Sequence, residues 1–284
     1  MHKLITIPNP FDLDCRAIIQ SKDSNTPSVI YFALTAKETL CLDPFNQMVQ
    51  YLKGYPINFF SITLPYHDEG IPHAKTIDHW RSELLSGPDF LLDFMKKLEA
   101  LSHFLEKEQL LSIKNSCLAG LSRGGYIACF LASMIKEFRF VLAFSPMSVI
   151  FSDDEKAELI KKNLFNPHWE LKFFTQDLYD RDIKFFIGNR DVKVDSAKCF
   201  SFIHQLSEIA FQNRIRPCKA ELHIYPSVGL KGHGTPPEIF SKGVAIVYRQ
   251  EDFDKKDITL EENSPEEIRD LLIEMDVRLN GKWI

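Results

Sequence analysis

The segment Gly120-Leu121-Ser122-Arg123-Gly124-Gly125 sets a serine between glycines two positions before and two positions after it, where an apolar strand-like run (115–121) meets a helix-like run (123–136). A nucleophilic serine requires this context. Its hydroxyl must project from a sheet edge on a turn so tight that the flanking positions nearly touch, and side chains at either position would collide. Gly125 lets the following helix lie close to a neighbouring strand. The first turn of that helix aims N–H groups and a partial positive charge at the reacting oxygen. The chemistry implied is attack of the Ser122 hydroxyl on a carbonyl, forming a covalent acyl intermediate.

Such a serine needs a base and a group to orient the base. Serine, then acid, then histidine is one known chain order for the set. Residues 183–187 read as a strand, and Gly188-Asn189-Arg190-Asp191 leaves its C-terminal end, the edge at which open parallel sheets place their sites. Asp191 is the expected acid. Asp195 is its rival but is better placed to cap the next helix. After a further strand at 220–225 comes a loop holding Lys231-Gly232-His233-Gly234-Thr235. His233 is the expected base, its flanking glycines letting the loop bend towards the serine. His67 and His73 are expected at the pocket mouth and His223 within a strand. The oxyanion of acyl transfer needs two donors. The backbone N–H of Arg123 is one. The second is expected from Leu34 or Thr35, in the loop after the strand at 28–33.

The elements that would hold these residues alternate along the chain. Strand-like runs fall at 3–7, 15–20, 28–33, 57–64, 115–121, 138–144, 183–187 and 220–225. Helix-like runs fall at 44–53, 88–105, 123–136, 195–212, 235–249 and 264–279. That rhythm predicts an α/β fold with a mainly parallel sheet between helices. Residues 65–88 read as a long loop, with Pro88 opening the next helix. The 284 residues, 45% of them apolar, suffice for one large core without disulfides. One domain is expected over 1–284. Two parts stand outside the rhythm. An insertion at 151–181 carries Phe165, Trp169, Phe173 and Phe174 among charges, and either covers the site as a lid or packs those aromatics on the body. Residues 251–284 form an acidic connector and a final helix.

The quoted segments, together with Ala143-Phe144-Ser145-Pro146, resemble the α/β-hydrolase superfamily over about residues 25–250. More narrowly they are similar to bacterial prolyl-oligopeptidase-like and acetyl-esterase-like hydrolases. The resemblance implies a central, mostly parallel eight-stranded sheet flanked by helices and a Ser/Asp/His triad. It implies a serine hydrolase acting on a small carboxylic ester or thioester. The alternatives are a peptidase or amidase acting on short peptides, and a catalytically inactive binding module. Where many relatives carry His-Gly-Gly in the oxyanion loop, this chain has Ala33-Leu34-Thr35-Ala36.

Charge and composition narrow the partners. The net charge is -5, and residues 251–270 hold nine acidic side chains against three basic ones, so no basic face for nucleic acid is expected. No apolar run reaches the roughly 18 residues of a membrane span, and the N-terminal residues are too polar for a signal peptide. Six cysteines without a CxxC pair suit buried thiols in a reducing compartment. The expectations are a cytoplasmic location, no cofactor, no metal and a small acyl substrate. The acidic tail and last helix are a candidate homodimer surface.

Overall fold

The computed structural model describes residues 3–250 apart from 24, 68, 69 and 230, so the acidic stretch and the last expected helix lie outside the described residues. Eight strands run in chain order as β1 (Leu4–Thr6), β2 (Cys15–Ile18), β3 (Ser28–Phe32), β4 (Asn58–Ile62), β5 (Ser116–Leu121), β6 (Phe140–Phe144), β7 (Asp182–Gly188) and β8 (Glu221–Tyr225). They form one sheet in the order β1-β2-β4-β3-β5-β6-β7-β8. β2 pairs antiparallel with β1 and β4, and every other pairing is parallel. The expected mainly parallel sheet is thus present.

Alternation along the central strands supplies two cores. Ile30 and Phe32 of β3 enter one apolar cluster, while Val29 and Tyr31 enter the other on the opposite face. Every residue of β3, β4 and β6 is buried, as strands covered by helices on both faces must be. β8 lies at the sheet edge, with Glu221 and Ile224 exposed. The long helix Phe90–Lys107 buries Leu91, Met95, Leu98, Leu101 and Leu105 along one stripe.

Two local expectations need correction. Residues 65–88 are not all loop, because Thr76–Ser86 is a helix. Its buried face is only Thr76, Trp80 and Leu84, one residue per turn, too sparse a stripe to stand out from a polar sequence. Trp80 anchors it, its indole N–H donating to the Pro65 carbonyl at 3.0 Å. Pro88 does not open the next helix. Asp89 caps it instead, its side chain accepting from the Leu92 N–H at 3.0 Å, and Pro88 lies just outside.

The insertion packs on the body. Phe151, Trp169, Leu171 and Leu178 are buried in the core, and Phe165 and Phe174 pack against it. The other carboxylate oxygen of Asp89 gathers the segment by accepting from His168 Nε2 (2.7 Å), Trp169 Nε1 (3.3 Å) and Asn166 Nδ2 (3.4 Å). The Tyr126 hydroxyl donates to the His168 carbonyl. One caps-and-clamps carboxylate therefore fixes a helix start and an insertion together.

Candidate active site

β5 ends at Leu121, and the helix Arg123–Met134 begins one residue after Ser122. Ser122 makes the turn alone, with φ 55° and ψ -116°, backbone that side-chain-bearing residues rarely adopt. It is held there by its own amide, which donates to the Phe144 carbonyl at 2.9 Å, and by its carbonyl, which accepts from Gly125 and Met147 at 3.0 Å each. The glycine pattern has its cause in contact distances. A Cβ on Gly120 would lie 2.1 Å from the Gly124 carbonyl carbon, and one on Gly124 would lie 1.8 Å from the Phe32 carbonyl oxygen. One on Gly125 would lie 2.7 Å from Pro146 Cβ. Gly124→Ala is expected to lose more than about 4 kcal/mol of folding stability, since backbone of β3 must move to admit the methyl group. Gly87→Ala is the control, because its Cβ would meet nothing closer than 3.6 Å. Denaturant unfolding of the two variants checks the contrast.

Asp191 leaves the end of β7 with its side chain fully buried. Oδ1 accepts from the backbone N–H groups of Lys193 (3.0 Å) and Val194 (3.2 Å), which fixes the carboxylate plane. Oδ2 accepts from His233 Nδ1 at 2.7 Å, and His233 Nε2 stands 3.0 Å from Ser122 Oγ. With Nδ1 protonated towards the carboxylate, Nε2 presents its lone pair to the serine hydroxyl. The structure thus brings Ser122, His233 and Asp191 into one hydrogen-bonded line. Asp195 takes the capping place, accepting from the Ala197 and Lys198 amides.

The histidine loop reaches the site through its glycines. Gly232 has φ 68°, and a Cβ there would lie 2.1 Å from the Arg190 carbonyl oxygen, so the loop can press against the chain that carries Asp191. Behind His233, a buried triangle joins the hydroxyls of Ser145, Tyr225 and Thr235 at 3.1–3.2 Å, and Tyr225 also donates to the Gly234 carbonyl at 3.1 Å. Burial pushes the Tyr225 phenol above its ordinary pKa, so it remains a donor. The sequence reading missed this brace. Ser145 was visible in Ala143-Phe144-Ser145-Pro146, but its partners come from β8 and the loop after it.

The three expected oxyanion donors differ in what their N–H groups meet. The Arg123 N–H sits at the first helical position, where no intrahelical acceptor exists. Leu34 and Thr35 do not offer free N–H groups. Leu34 donates to Thr39 Oγ1 at 3.0 Å, and Thr35 donates to Glu38 Oε2 at 3.3 Å. For Thr35 the reason is a capping box, Thr35-x-x-Glu38, that starts the short helix Ala36–Cys41, and the acceptor for Leu34 is Thr39 of the same helix. That spacing was readable in the sequence.

A cavity of about 360 Å³ opens over Ser122. Ala33, Leu34, Pro44, Phe45, Leu121 and Phe240 line it together with His73, Ala74, Arg123, Lys193, His233, Gly234 and Thr235. His73 is at the cavity as expected, whereas His67 is buried behind it, with the two rings stacked 5.7 Å apart. Burial and then the Arg123 charge lower the pKa of His67 to about 4. The insertion 151–181 contributes no lining residue among those described. Among the described residues no cluster has the makeup of a metal site, and no helix is long and apolar enough to cross a membrane.

No protein-family model matches the chain, and no curated protein matches it. Solved structures do. TT1662 from Thermus thermophilus is 15% identical over 89% of this chain and 99% of its own, with a TM-score of 0.62. The Pyrococcus furiosus esterase Pf2001 is 15% identical over 88% of this chain and 90% of its own, with a TM-score of 0.55. Prolyl oligopeptidase B from Galerina marginata is 14% identical over 90% of this chain but only 37% of its own, with a TM-score of 0.62. At such identities the likeness concerns architecture, and together with the strand order it shows that the chain has the α/β-hydrolase fold.

Proposed function

We propose that this chain is a serine hydrolase that cleaves a small carboxylic ester or thioester through an acyl-enzyme at Ser122. The observation that carries the reading is the line from Asp191 through His233 to Ser122, with both imidazole nitrogens at hydrogen-bond distance. In this mechanism Nε2 of His233 takes the serine proton as Oγ attacks the carbonyl. Asp191, fixed by two backbone donors, holds the tautomer and stabilises the imidazolium. The Arg123 N–H and the N-terminal end of its helix face the developing oxyanion. His233 then protonates the leaving group, and water, activated by the same nitrogen, releases the acid. The cavity volume suits a small acyl compound. Similarity in fold to an esterase and to a peptidase does not choose between their substrates.

One observation favours a second reading, an inactive binding module: the Leu34 N–H is engaged, and becomes a donor to substrate only if the Thr39 hydroxyl releases it. Labelling with a fluorophosphonate probe, read by intact mass, separates the two. A single adduct on the wild type and none on Ser122→Ala is the expected result. No adduct on either protein would favour the binding module. Turnover of an acyl anilide at a rate matching the corresponding ester would move the reading to a peptidase or amidase.

A further inference from the structure

The cavity over Ser122 carries charge that acyl transfer does not use. Arg123 and Lys193 both line it, and no Asp or Glu among the described residues does. Arg123 is only 8% exposed, yet among the described residues it forms no ion pair. One guanidinium N–H donates to the His73 carbonyl at 3.1 Å, while the buried Nε–H has no acceptor. Burial draws Arg123 down to a pKa of about 10, which leaves it cationic at neutral pH. A buried cation without a counter-charge is costly, and so is a buried donor without an acceptor. Lys193 is an exposed residue, yet its ammonium is held below its ordinary pKa, first by burial of its end and then by the charge of Arg123. Asp191 offsets that in part, but its carboxylate is already engaged by His233 and two amides. Two cations that repel each other in a cavity also lined by apolar Leu34, Pro44, Phe45 and Phe240 concentrate positive potential beside the nucleophile.

We propose that the substrate carries an anionic group, a carboxylate or a phosphate, near its scissile carbonyl, and that the Arg123 guanidinium and the Lys193 ammonium bind that group. The apolar remainder then faces Pro44, Phe45 and Phe240. The proposal rests on Ser122 being the nucleophile. It deepens that reading by naming the substrate's charge. A guanidinium with unmet N–H groups is suited to a carboxylate or phosphate because two parallel bonds fit its fork.

The experiment compares kcat/KM on matched esters. p-Nitrophenyl hydrogen glutarate against p-nitrophenyl valerate places the charge on the acyl part. 4-Acetoxybenzoate against its methyl ester places a carboxylate on the leaving group, and 4-acetoxyphenyl phosphate places a phosphate there. At least one anionic ester is expected to exceed its neutral counterpart by about 10- to 100-fold, the usual strength of hydrogen bonds to a charged group. The difference should reside mainly in KM, and Lys193→Met and Arg123→Met should each shrink the ratio. Where Arg123→Met fails to fold, Lys193→Met carries the comparison. Direct binding of glutarate, 4-hydroxybenzoate and phenyl phosphate to the wild type is measured by calorimetry alongside fluorophosphonate labelling. A protein that labels but shows neither anion binding nor a ratio above one overturns the anion site and leaves the nucleophile standing. A protein that binds an anion, loses it in Lys193→Met and never labels keeps the anion site and loses the nucleophile. Failure of both measurements overturns both.

Discussion

Ser122→Ala is expected to lower kcat by about 10⁴- to 10⁶-fold on any ester the wild-type protein turns over, with KM little changed. The expectation follows from what the substitution removes and what it leaves. The hydroxyl is the only atom lost, and with it the covalent route. The Arg123 N–H, the helix N-terminus and the cavity walls remain, so substrate still binds. Residual catalysis over water is what such groups supply alone. The backbone at residue 122, with φ 55° and ψ -116°, is no harder for alanine than for serine, and the bonds to Phe144, Gly125 and Met147 are all main-chain. Stability should therefore change only by the lost bond to His233, about 1 kcal/mol, or about 2–4 °C in Tm. Steady-state kinetics with a thermal melt checks both parts. A folded Ser122→Ala protein with more than a tenth of wild-type kcat would remove Ser122 from the chemistry.

Much of the site was legible because its constraints are local or follow chain order. The glycines around Ser122 are demanded by contacts between residues four apart and between Gly124 and the adjacent strand, and sequence spacing records such contacts. Asp191 and His233 could be placed because a parallel sheet delivers the ends of β7 and β8 to one edge. The features that escaped depend on distant chain segments meeting. The hydroxyl triangle joins residues 145, 225 and 235, and no spacing announces it. The helix Thr76–Ser86 buries one residue per turn, below what periodicity detects. The insertion's aromatics were conspicuous, but whether they face the cavity or the core depends on Asp89, which lies about eighty residues before them. The capping box at Thr35 was readable and engages the Thr35 N–H, while Thr39 of the same helix engages that of Leu34.

Asp191→Asn should lower kcat by about 10⁴-fold without unfolding the protein, although the change replaces one oxygen by an NH₂ group. The geometry decides which way the new amide faces. Oδ1 of Asp191 accepts from two backbone N–H groups, of Lys193 and Val194, and an NH₂ there would oppose two donors. The amide oxygen is therefore pinned on that side, and the NH₂ takes the place of Oδ2, 2.7 Å from His233 Nδ1. A donor in that position requires Nδ1 to be the acceptor, so the imidazole proton moves to Nε2. That nitrogen then faces Ser122 Oγ with a proton instead of a lone pair and cannot take the serine proton. The loss corresponds to about 5.5 kcal/mol of transition-state stabilisation. Asp195→Asn supplies the contrast. Asparagine caps a helix about as well as aspartate, so the bonds to Ala197 and Lys198 persist and kcat should stay within about twofold. Comparable losses in the two variants would mean that the acid is not Asp191 alone. A full loss at Asp191 with none at Asp195 would assign the tautomer of His233 to the carboxylate that the two backbone amides hold in place.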